Sequence, residues 1–228
     1  MHKKEKYSLT YPINYGYIPG VLGGDGEELD VYLLGVDKPV TEYTCKIIGI
    51  SHRKNDVEDK FVGAPIGMIF NQAEIAEKIH FQEQYYKTNI EALYQKSCGA
   101  VVYTVLNGKI NYLLIKSQNG DIGFPKGHIE RGETEKGTAL REIFEETSIS
   151  AEISDDFKDE VEYIMPDGKT KTVAYYIAFF ENQEPHHNAG FEDNEYLLLE
   201  YDKAMKMLTF DNTKEILTRA NDVIAKRI

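Results

Sequence analysis

The segment GHIERGETEKGTALREIFEETSI occupies residues 127–149 and decides how the second half of the chain is interpreted. Its pattern predicts a helix near 134–147, on which Glu142, Glu145 and Glu146 stand at i, i+3 and i+4 and therefore share one face. Like charges at these spacings destabilise an exposed helix by only about a few tenths of a kcal/mol each. Taken alone, such a triplet is more typical of a solvated helix face than of a functional site.

The residues around the triplet favour a functional interpretation. Arg141 adjoins the glutamates, and Glu133 lies upstream, where a loop can fold back onto the helix. Gly127 and Gly132 allow the backbone to approach a ligand closely. Carboxylate oxygens on a rigid helix suit Mg2+ or Mn2+, so the segment contains a candidate site for a divalent cation.

The same segment resembles the Nudix box, in which Gly, five residues, Glu and seven residues precede Arg-Glu-aliphatic-any-Glu-Glu-any-Gly-aliphatic. The matching positions are Gly127, Glu133, Arg141, Glu142, Ile143, Glu145, Glu146 and Ile149. Ser148 stands where the family usually has Gly, just after the acidic run. This departure concerns the turn at the end of the helix more than the metal ligands.

The resemblance implies metal-assisted hydrolysis of a phosphoanhydride bond, with Mg2+ or Mn2+ as the cofactor. Divalent ions neutralise charge that develops on phosphate oxygens and lower the pKa of a coordinated water. The implied catalytic residues are Glu133, Arg141, Glu142, Glu145 and Glu146, and the implied metal ligands are the Gly127 carbonyl, Glu142, Glu145 and Glu146. Arg141 is expected to pair with Glu133 and orient the helix, while Glu142 or a carboxylate outside the box assists deprotonation of water.

The substrate is indicated by the stretch GFPKGHIE, residues 123–130. It resembles the version of the motif in Nudix hydrolases that cleave dinucleoside polyphosphates, such as diadenosine tetraphosphate, or diphosphoinositol phosphates. Lys126 and His128 are candidates for binding the outer phosphates. We therefore expect a small nucleotide as the substrate.

A second indication of the substrate comes from residues 192–217, which resemble the C-terminal region of the tetraphosphate-cleaving members. Glu192 or Glu195 is the candidate for an additional carboxylate at the site. The chain contains no Trp, so a base must stack on Tyr or Phe. Phe191 and Tyr196 are the candidates for that stacking.

A different motif begins the chain, YPINYGYIPGVLGGDGEELDV at residues 11–31. It resembles the metal-binding signature of family I inorganic pyrophosphatases, with further correspondences up to about residue 90. The residues of this candidate site are Tyr15, Asp25, Glu27, Asp30, Lys60, Tyr86 and Lys87. The family's second acidic pair is reduced to Glu58, with Arg53 near the other position. We expect a truncated module whose own catalysis is absent or weak and whose metal or phosphate binding survives.

The patterning divides the chain near residues 95–98, into a pyrophosphatase-like segment, 1–95, and a Nudix domain, 96–228. Apolar residues at helical spacing predict one amphipathic helix over 71–95, and Asn107-Gly108 predicts a hairpin turn. A final helical segment is expected to break near Phe210. The predicted fold class is α+β, with a Nudix α/β/α sandwich preceded by a small, β-rich, barrel-like domain.

Composition excludes several other kinds of protein. The 228 residues carry a formal net charge of -12, which would repel nucleic acid. No stretch approaches the roughly 18 apolar residues of a membrane span, and the start lacks a secretion signal, so we expect a cytoplasmic protein. The two cysteines, Cys45 and Cys98, are too few for a disulfide framework and lack CxxC spacing for zinc.

Three functions are compatible with the sequence. The first is hydrolysis of dinucleoside polyphosphates by the Nudix domain. The second is release of pyrophosphate from a nucleoside triphosphate by that domain, followed by hydrolysis of the pyrophosphate by the first segment. In the third, the first segment is a non-catalytic module for binding or for forming a homodimer, a role favoured by the apolar stripe of the helix predicted over 71–95.

Overall fold

A computed structural model describes residues 11–186 and 195–227, and the chain divides into two compact units between Tyr94 and Gln95. The elements of the first unit are β1 (Asn14–Leu22), β2 (Glu28–Leu33), β3 (Lys46–Arg53), β4 (Lys60–Ala64), α1 (Gln72–Glu83) and β5 (Thr88–Ala92). The elements that follow are β6 (Tyr94–Leu106), β7 (Lys109–Lys116), β8 (Ile122–Gly123), β9 (Lys126–His128), α2 (Glu135–Thr147), β10 (Glu152–Ile164), β11 (Thr170–Phe179), β12 (Glu195–Leu199), α3 (Tyr201–Met207) and α4 (Asp211–Ile224). No helix in these described ranges is long and apolar enough to cross a membrane.

The first unit contains a five-stranded sheet in the order β1-β2-β4-β3-β5. Its strand pairs are antiparallel except for β2 and β4, which run parallel. Within the described residues, β1 and β5 lie at opposite ends of this order, so the sheet is open and the expectation of a barrel-like domain is wrong.

Helix α1 covers the core of this sheet and is shorter than predicted. Asn71 caps its start by accepting hydrogen bonds from Ala73 and Glu74, and its buried residues Ile75 and Ile79 join the core of the unit. The helix ends at Glu83, and the segment predicted as its second half forms β5 along β3. The expectation that this unit ends in a helix is therefore wrong.

The error over residues 88–92 has a simple cause. Ile90 falls on the helical stripe, but Ile90 and Ala92 also alternate with exposed residues at the period of a strand. Pairing with β3 supplies backbone partners and selects the strand. Because α1 buries its apolar face inside its own unit, that face no longer argues for a role in assembly.

The second unit is a sandwich with helices on both faces of a seven-stranded sheet, as predicted. Five of its strands follow the order β10-β11-β6-β7-β12, with β8 and β9 pairing with β7 and β6. Alternating residues of β6 point to opposite faces, so Val101 packs in one core with Ile216 of α4, whereas Val102 packs in the other with Ile143 of α2. The sheet therefore holds α2 and α4 on opposite faces.

Two local predictions for this unit are confirmed. Leu106 and Lys109 pair across the Asn107-Gly108 turn, where both turn residues have positive φ, as a tight hairpin requires. The final helical segment breaks before Asp211 into α3 and α4.

Helix α2 ends in a conformation that usually selects glycine. Ser148 is the C-cap residue, with a φ of 60°, and its N–H donates a hydrogen bond to the Phe144 carbonyl. Its hydroxyl donates to the carbonyl oxygen of His186 at 3.0 Å. Ser148 therefore preserves the left-handed turn that a Gly would adopt at the same position.

We predict that Ser148→Val lowers the free energy of unfolding by about 1–2 kcal/mol, because a β-branched residue is strained at positive φ. Ser148→Gly is the matched control. It relieves that strain while increasing the entropy of the unfolded chain, so its stability should stay within about 0.5 kcal/mol of the wild type. Urea denaturation measures both variants. Equal stability of the Val and Gly variants would contradict the conformational argument.

Candidate active site

Arg141 lies at the centre of the acidic segment 127–149 and binds three carboxylates. Its Nε and Nη2 donate to the two oxygens of Glu133 at 2.7 and 2.9 Å. Its Nη1 donates to Glu142 Oε1 at 2.6 Å and to Glu145 Oε2 at 2.9 Å. Hydrogen bonding from Arg141 lowers the pKa of Glu133 to about 2, so Glu133 remains ionised at neutral pH. The predicted pairing of Arg141 with Glu133 is present.

The loop before α2 lies directly against the glutamates. A Cβ added to Gly127 would stand 2.0 Å from Glu142 Oε1, so no other residue fits there without displacing the carboxylate. The main-chain N–H of Lys126 donates to Glu146 Oε2 at 2.9 Å. Burial raises the pKa of Glu142, and Arg141 opposes that shift. The fold thus brings Gly127 and the glutamates of α2 to one place.

The donors at this place have the chemistry that a hard divalent cation requires. Glu142 and Glu145 each place an oxygen on the same Arg141 nitrogen, which shows that two carboxylates converge on one positive charge. Among residues 11–186 and 195–227, no three carboxylate, imidazole or thiol groups already form a metal-binding cluster. The residue types fit a divalent ion, and binding it requires rotation of the glutamate side chains.

Basic groups gather beside the carboxylates. Lys171 Nζ lies 3.4 Å from His128 Nε2, which also contacts Gln95 Oε1 at 3.0 Å. Burial and the nearby Lys126 lower the pKa of Lys171, while Glu142 opposes that shift. Burial, Lys171 and Lys126 lower the pKa of His128, so its ring is neutral at neutral pH even though part of the residue is exposed.

Lys171 was missed by sequence reasoning. It belongs to none of the ion pairs formed within the described part of the chain, so its charge is available to an anion. The signal in the sequence is a lysine two positions before the apolar run that starts at Val173, because a charge near the start of a buried strand needs an explanation.

An aromatic cavity of about 500 Å³ opens beside Lys126. Its aromatic lining consists of Phe124, Tyr163, Tyr175 and Phe210. Phe124 and Tyr175 are buried and pack edge to face at 5.9 Å, while Tyr163 and Phe210 are partly exposed. These four residues come from β8–β9, β10, β11 and the start of α4, so the cavity exists only in the folded unit.

Tyr196 and Glu195, predicted for base stacking and as an additional carboxylate, do not line the cavity. Tyr196 packs against the core on the α2 side and is not among the cavity residues. Glu195 forms an exposed ion pair with Lys116 at 2.7 Å. Phe191 and Glu192 lie outside the described residues.

In the first unit, Tyr15, Asp30, Glu58 and Lys60 form a second polar cluster. Lys60 Nζ pairs with Asp30 Oδ2 at 2.7 Å and also contacts Glu58. Burial alone would lower the pKa of Lys60, but its hydrogen bonds to Asp30 and Glu58 raise it. Burial and a hydrogen bond with Asp30 raise the pKa of Tyr15. Lys60 therefore pairs with Asp30, one of the acidic residues of the candidate site, and with Glu58.

Arg53 extends this pattern. Its Nη2 pairs with Glu83 Oε1 at 2.6 Å, and the two side chains are each only 4% exposed. Glu83 also accepts hydrogen bonds from Tyr32 at 2.6 Å and Ser51 at 2.8 Å. The guanidinium carbon of Arg53 lies 3.7 Å from the centre of the Tyr86 ring. A buried guanidinium thus lies where the pyrophosphatase signature suggests an acidic residue.

The remaining candidates of the first unit have structural contacts. Asp25 lies in the exposed turn before β2, where its Oδ1 accepts the N–H of Glu27 at 2.9 Å. The N–H of Lys87 donates to Asn55 Oδ1 at 2.7 Å. Asp30, Glu58 and Glu83 are thus each paired to a lysine or an arginine of this unit.

Comparison with known proteins assigns the second unit to a class of enzymes. A family model described as NUDIX domain matches residues 96–220, more than half of the chain. The chain is therefore a hydrolase that acts on phosphoanhydride bonds. It belongs to the NUDIX domain family.

Individual relatives support this assignment. A bis(5'-nucleosyl)-tetraphosphatase (asymmetrical) from Sus scrofa is 31% identical over 140 residues, covering 57% of this chain and 95% of that protein. The crystal structure of a Caenorhabditis elegans Ap4A hydrolase binary complex matches with a TM-score of 0.54 and 28% identity, covering 58% of this chain and 98% of that one.

The first unit has its own match. A family model described as inorganic pyrophosphatase matches residues 2–92. An inorganic pyrophosphatase from Xylella fastidiosa is 30% identical over 77 residues, covering 32% of this chain. The match spans only 43% of that enzyme's length. Both families generally use divalent metal ions.

We predict that Arg53→Met lowers the free energy of unfolding of the first unit by about 3–5 kcal/mol, because the Glu83 carboxylate stays buried without its counter-ion. Lys109→Met is the control, since Lys109 and Glu200 form an exposed pair whose loss costs about 0–1 kcal/mol. Urea denaturation followed by hydrogen exchange locates the change. Similar losses of stability in the two variants would show that the buried ion pair contributes no more to the free energy of unfolding than the exposed one.

Proposed function

We propose that this protein hydrolyses dinucleoside polyphosphates, such as diadenosine tetraphosphate, with Mg2+ or Mn2+ as the cofactor. The observation that carries the proposal is the position of Lys126. Its N–H donates to Glu146, and the same residue lines the aromatic cavity. A base held in the cavity therefore lies next to the glutamates, so the attached phosphates reach them without leaving the protein surface.

The residues suit the parts of such a substrate. Tyr163 and Phe210 offer ring faces on which a base can stack. Lys126 and Lys171 supply positive charge for the polyphosphate, which carries several negative charges. The similarity to a bis(5'-nucleosyl)-tetraphosphatase and to an Ap4A hydrolase favours a dinucleoside polyphosphate over other phosphoanhydrides.

In the proposed mechanism, Glu142, Glu145 and Glu146 hold the divalent ion with the Gly127 carbonyl. When bound, this ion would neutralise charge on the phosphate oxygens and lower the pKa of water. Arg141 keeps the helix and the preceding loop together through Glu133.

Proton transfer is assigned to Glu142. Burial raises its pKa in the metal-free protein, and this direction suits a proton acceptor. Of the two alternative carboxylates, Glu195 is engaged by Lys116 on the surface, and Glu192 lies outside the described residues.

We predict that Glu146→Gln lowers kcat for diadenosine tetraphosphate by about 100-fold or more, because an amide binds a divalent ion more weakly than a carboxylate and charge stabilisation is commonly worth this much. The control is Glu215→Gln, an exposed glutamate on α4, which should retain wild-type activity. Product formation is followed by chromatography with Mg2+ or Mn2+. Wild-type turnover by the Glu146 variant would refute the assigned role.

The second function to be tested is hydrolysis of pyrophosphate by the first unit, which would complete a reaction started by release of pyrophosphate from a nucleoside triphosphate. The sequence of the first unit supports pyrophosphate hydrolysis only through the family likeness. The pairing of Arg53 and Lys60 with the local carboxylates argues against this activity. The third function, a non-catalytic module, agrees with this pairing.

We predict that the full chain releases no phosphate from pyrophosphate above the background of the metal-containing buffer. The assay runs beside diadenosine tetraphosphate as the positive control, with the same enzyme preparation. Phosphate release that disappears in Asp30→Asn would instead establish the first unit as a pyrophosphatase.

A further inference from the structure

Asn212 contributes a side-chain amide with an unpaired acceptor to the residues around the aromatic cavity. The residue lies in the first turn of α4, two positions after Phe210, and lines the cavity. Its Oδ1 is buried and accepts no hydrogen bond from the described residues. A buried acceptor without a donor is costly, so native proteins generally provide a partner for such an atom.

The neighbouring polar residue of the lining does not supply this partner. Thr213, which follows Asn212 and also lines the cavity, donates its hydroxyl hydrogen to the Phe210 carbonyl at 2.7 Å. The aromatic side chains of the lining present rings, and rings supply stacking without identifying the base. Because Oδ1 is itself buried, the Asn212 side chain has to turn towards the cavity for an entering base to reach this acceptor.

The side-chain amide of Asn212 also carries a donor, Nδ2, next to this acceptor. An amide matches the edge of adenine formed by its N6 amino group and N7, where the amino group donates to the amide oxygen and N7 accepts from the amide nitrogen. Guanine and hypoxanthine have a carbonyl oxygen, O6, instead of the amino group, which would oppose Oδ1 acceptor to acceptor.

We propose that Asn212 recognises adenine and makes the protein selective for adenine nucleotides over nucleotides with a 6-oxo purine. This inference rests on the proposed function, because it assigns the cavity to the base of the substrate. It adds a specificity-determining residue to a cavity whose aromatic walls alone would accept any purine.

The test compares diadenosine, diguanosine and diinosine tetraphosphates. Hypoxanthine replaces the adenine amino group with O6 and lacks the guanine 2-amino group, so it separates hydrogen bonding from size. The wild type should have a kcat/KM for the adenine substrate about 10-fold or more above either 6-oxo substrate, the order expected for a discriminating base contact.

In Asn212→Ala the three values of kcat/KM should converge, mainly because the adenine substrate loses its advantage. The thermal unfolding midpoint should stay equal to that of the wild type or rise, since the variant removes a buried acceptor that lacked a partner. A structural role would lower the midpoint instead, and a uniform loss of activity towards all three substrates would overturn the proposal.

Asn221→Ala is the matched control on the same helix. Asn221 Oδ1 accepts the Tyr112 hydroxyl at 2.6 Å and lies away from the cavity lining. This variant should unfold at a lower temperature while keeping the preference for adenine. Loss of the preference in this variant as well would show that selectivity depends on general stability rather than on Asn212.

Calorimetric binding of ATP, GTP and ITP with the metal chelated separates this proposal from the proposed function. If no dinucleotide is hydrolysed but ATP binds more tightly and Asn212→Ala removes that difference, the proposed function fails and the role of Asn212 stands. If diadenosine tetraphosphate is hydrolysed through Glu146 but no purine preference exists, the role of Asn212 fails alone.

Discussion

The ion pairs of Arg141 organise the whole catalytic end of the second unit. One guanidinium holds Glu133 of the loop and Glu142 and Glu145 of α2, and it also donates to the His128 carbonyl at 2.9 Å. Without this positive charge, the carboxylates would repel each other beside a backbone that leaves no space for a side chain at Gly127. The same contact therefore permits a high density of negative charge and fixes the loop that carries Lys126.

The site divides into a part that the sequence predicts well and a part that it does not. Residues 127–149 contain the glutamates and Arg141 within one loop and one helix, so local spacing is enough to bring them together. Lys171 reaches His128, and Tyr163 and Asn212 line one cavity, only because distant parts of the chain fold together in this unit. Long-range pairing has no periodic signature in the sequence, so the sequence favours Tyr196 for base stacking and gives no indication of Tyr163.

The first unit combines a sequence likeness to inorganic pyrophosphatases with carboxylates that are paired to protein cations. The turn before β2 and the positions of Tyr15, Asp30 and Lys60 follow the pyrophosphatase pattern, and the family model matches this part of the chain. Glu83 and Arg53, which the pattern does not emphasise, form its buried ion pair. The same motif thus supports a sheet stabilised by internal charge pairs. The sequence predicts a long helix here instead of α1 and β5, because β5 forms only by pairing with β3.

The contact between Lys126 and Glu146 uses the main chain of the lysine, whereas its side chain is left for the cavity. Replacing this side chain would alter which molecules are accepted without removing the hydrogen bond to the glutamate. Substrate choice and bond cleavage can consequently diverge during evolution at a single position. A protein with this arrangement can acquire a new nucleotide preference in few mutational steps while its hydrolytic machinery is inherited unchanged.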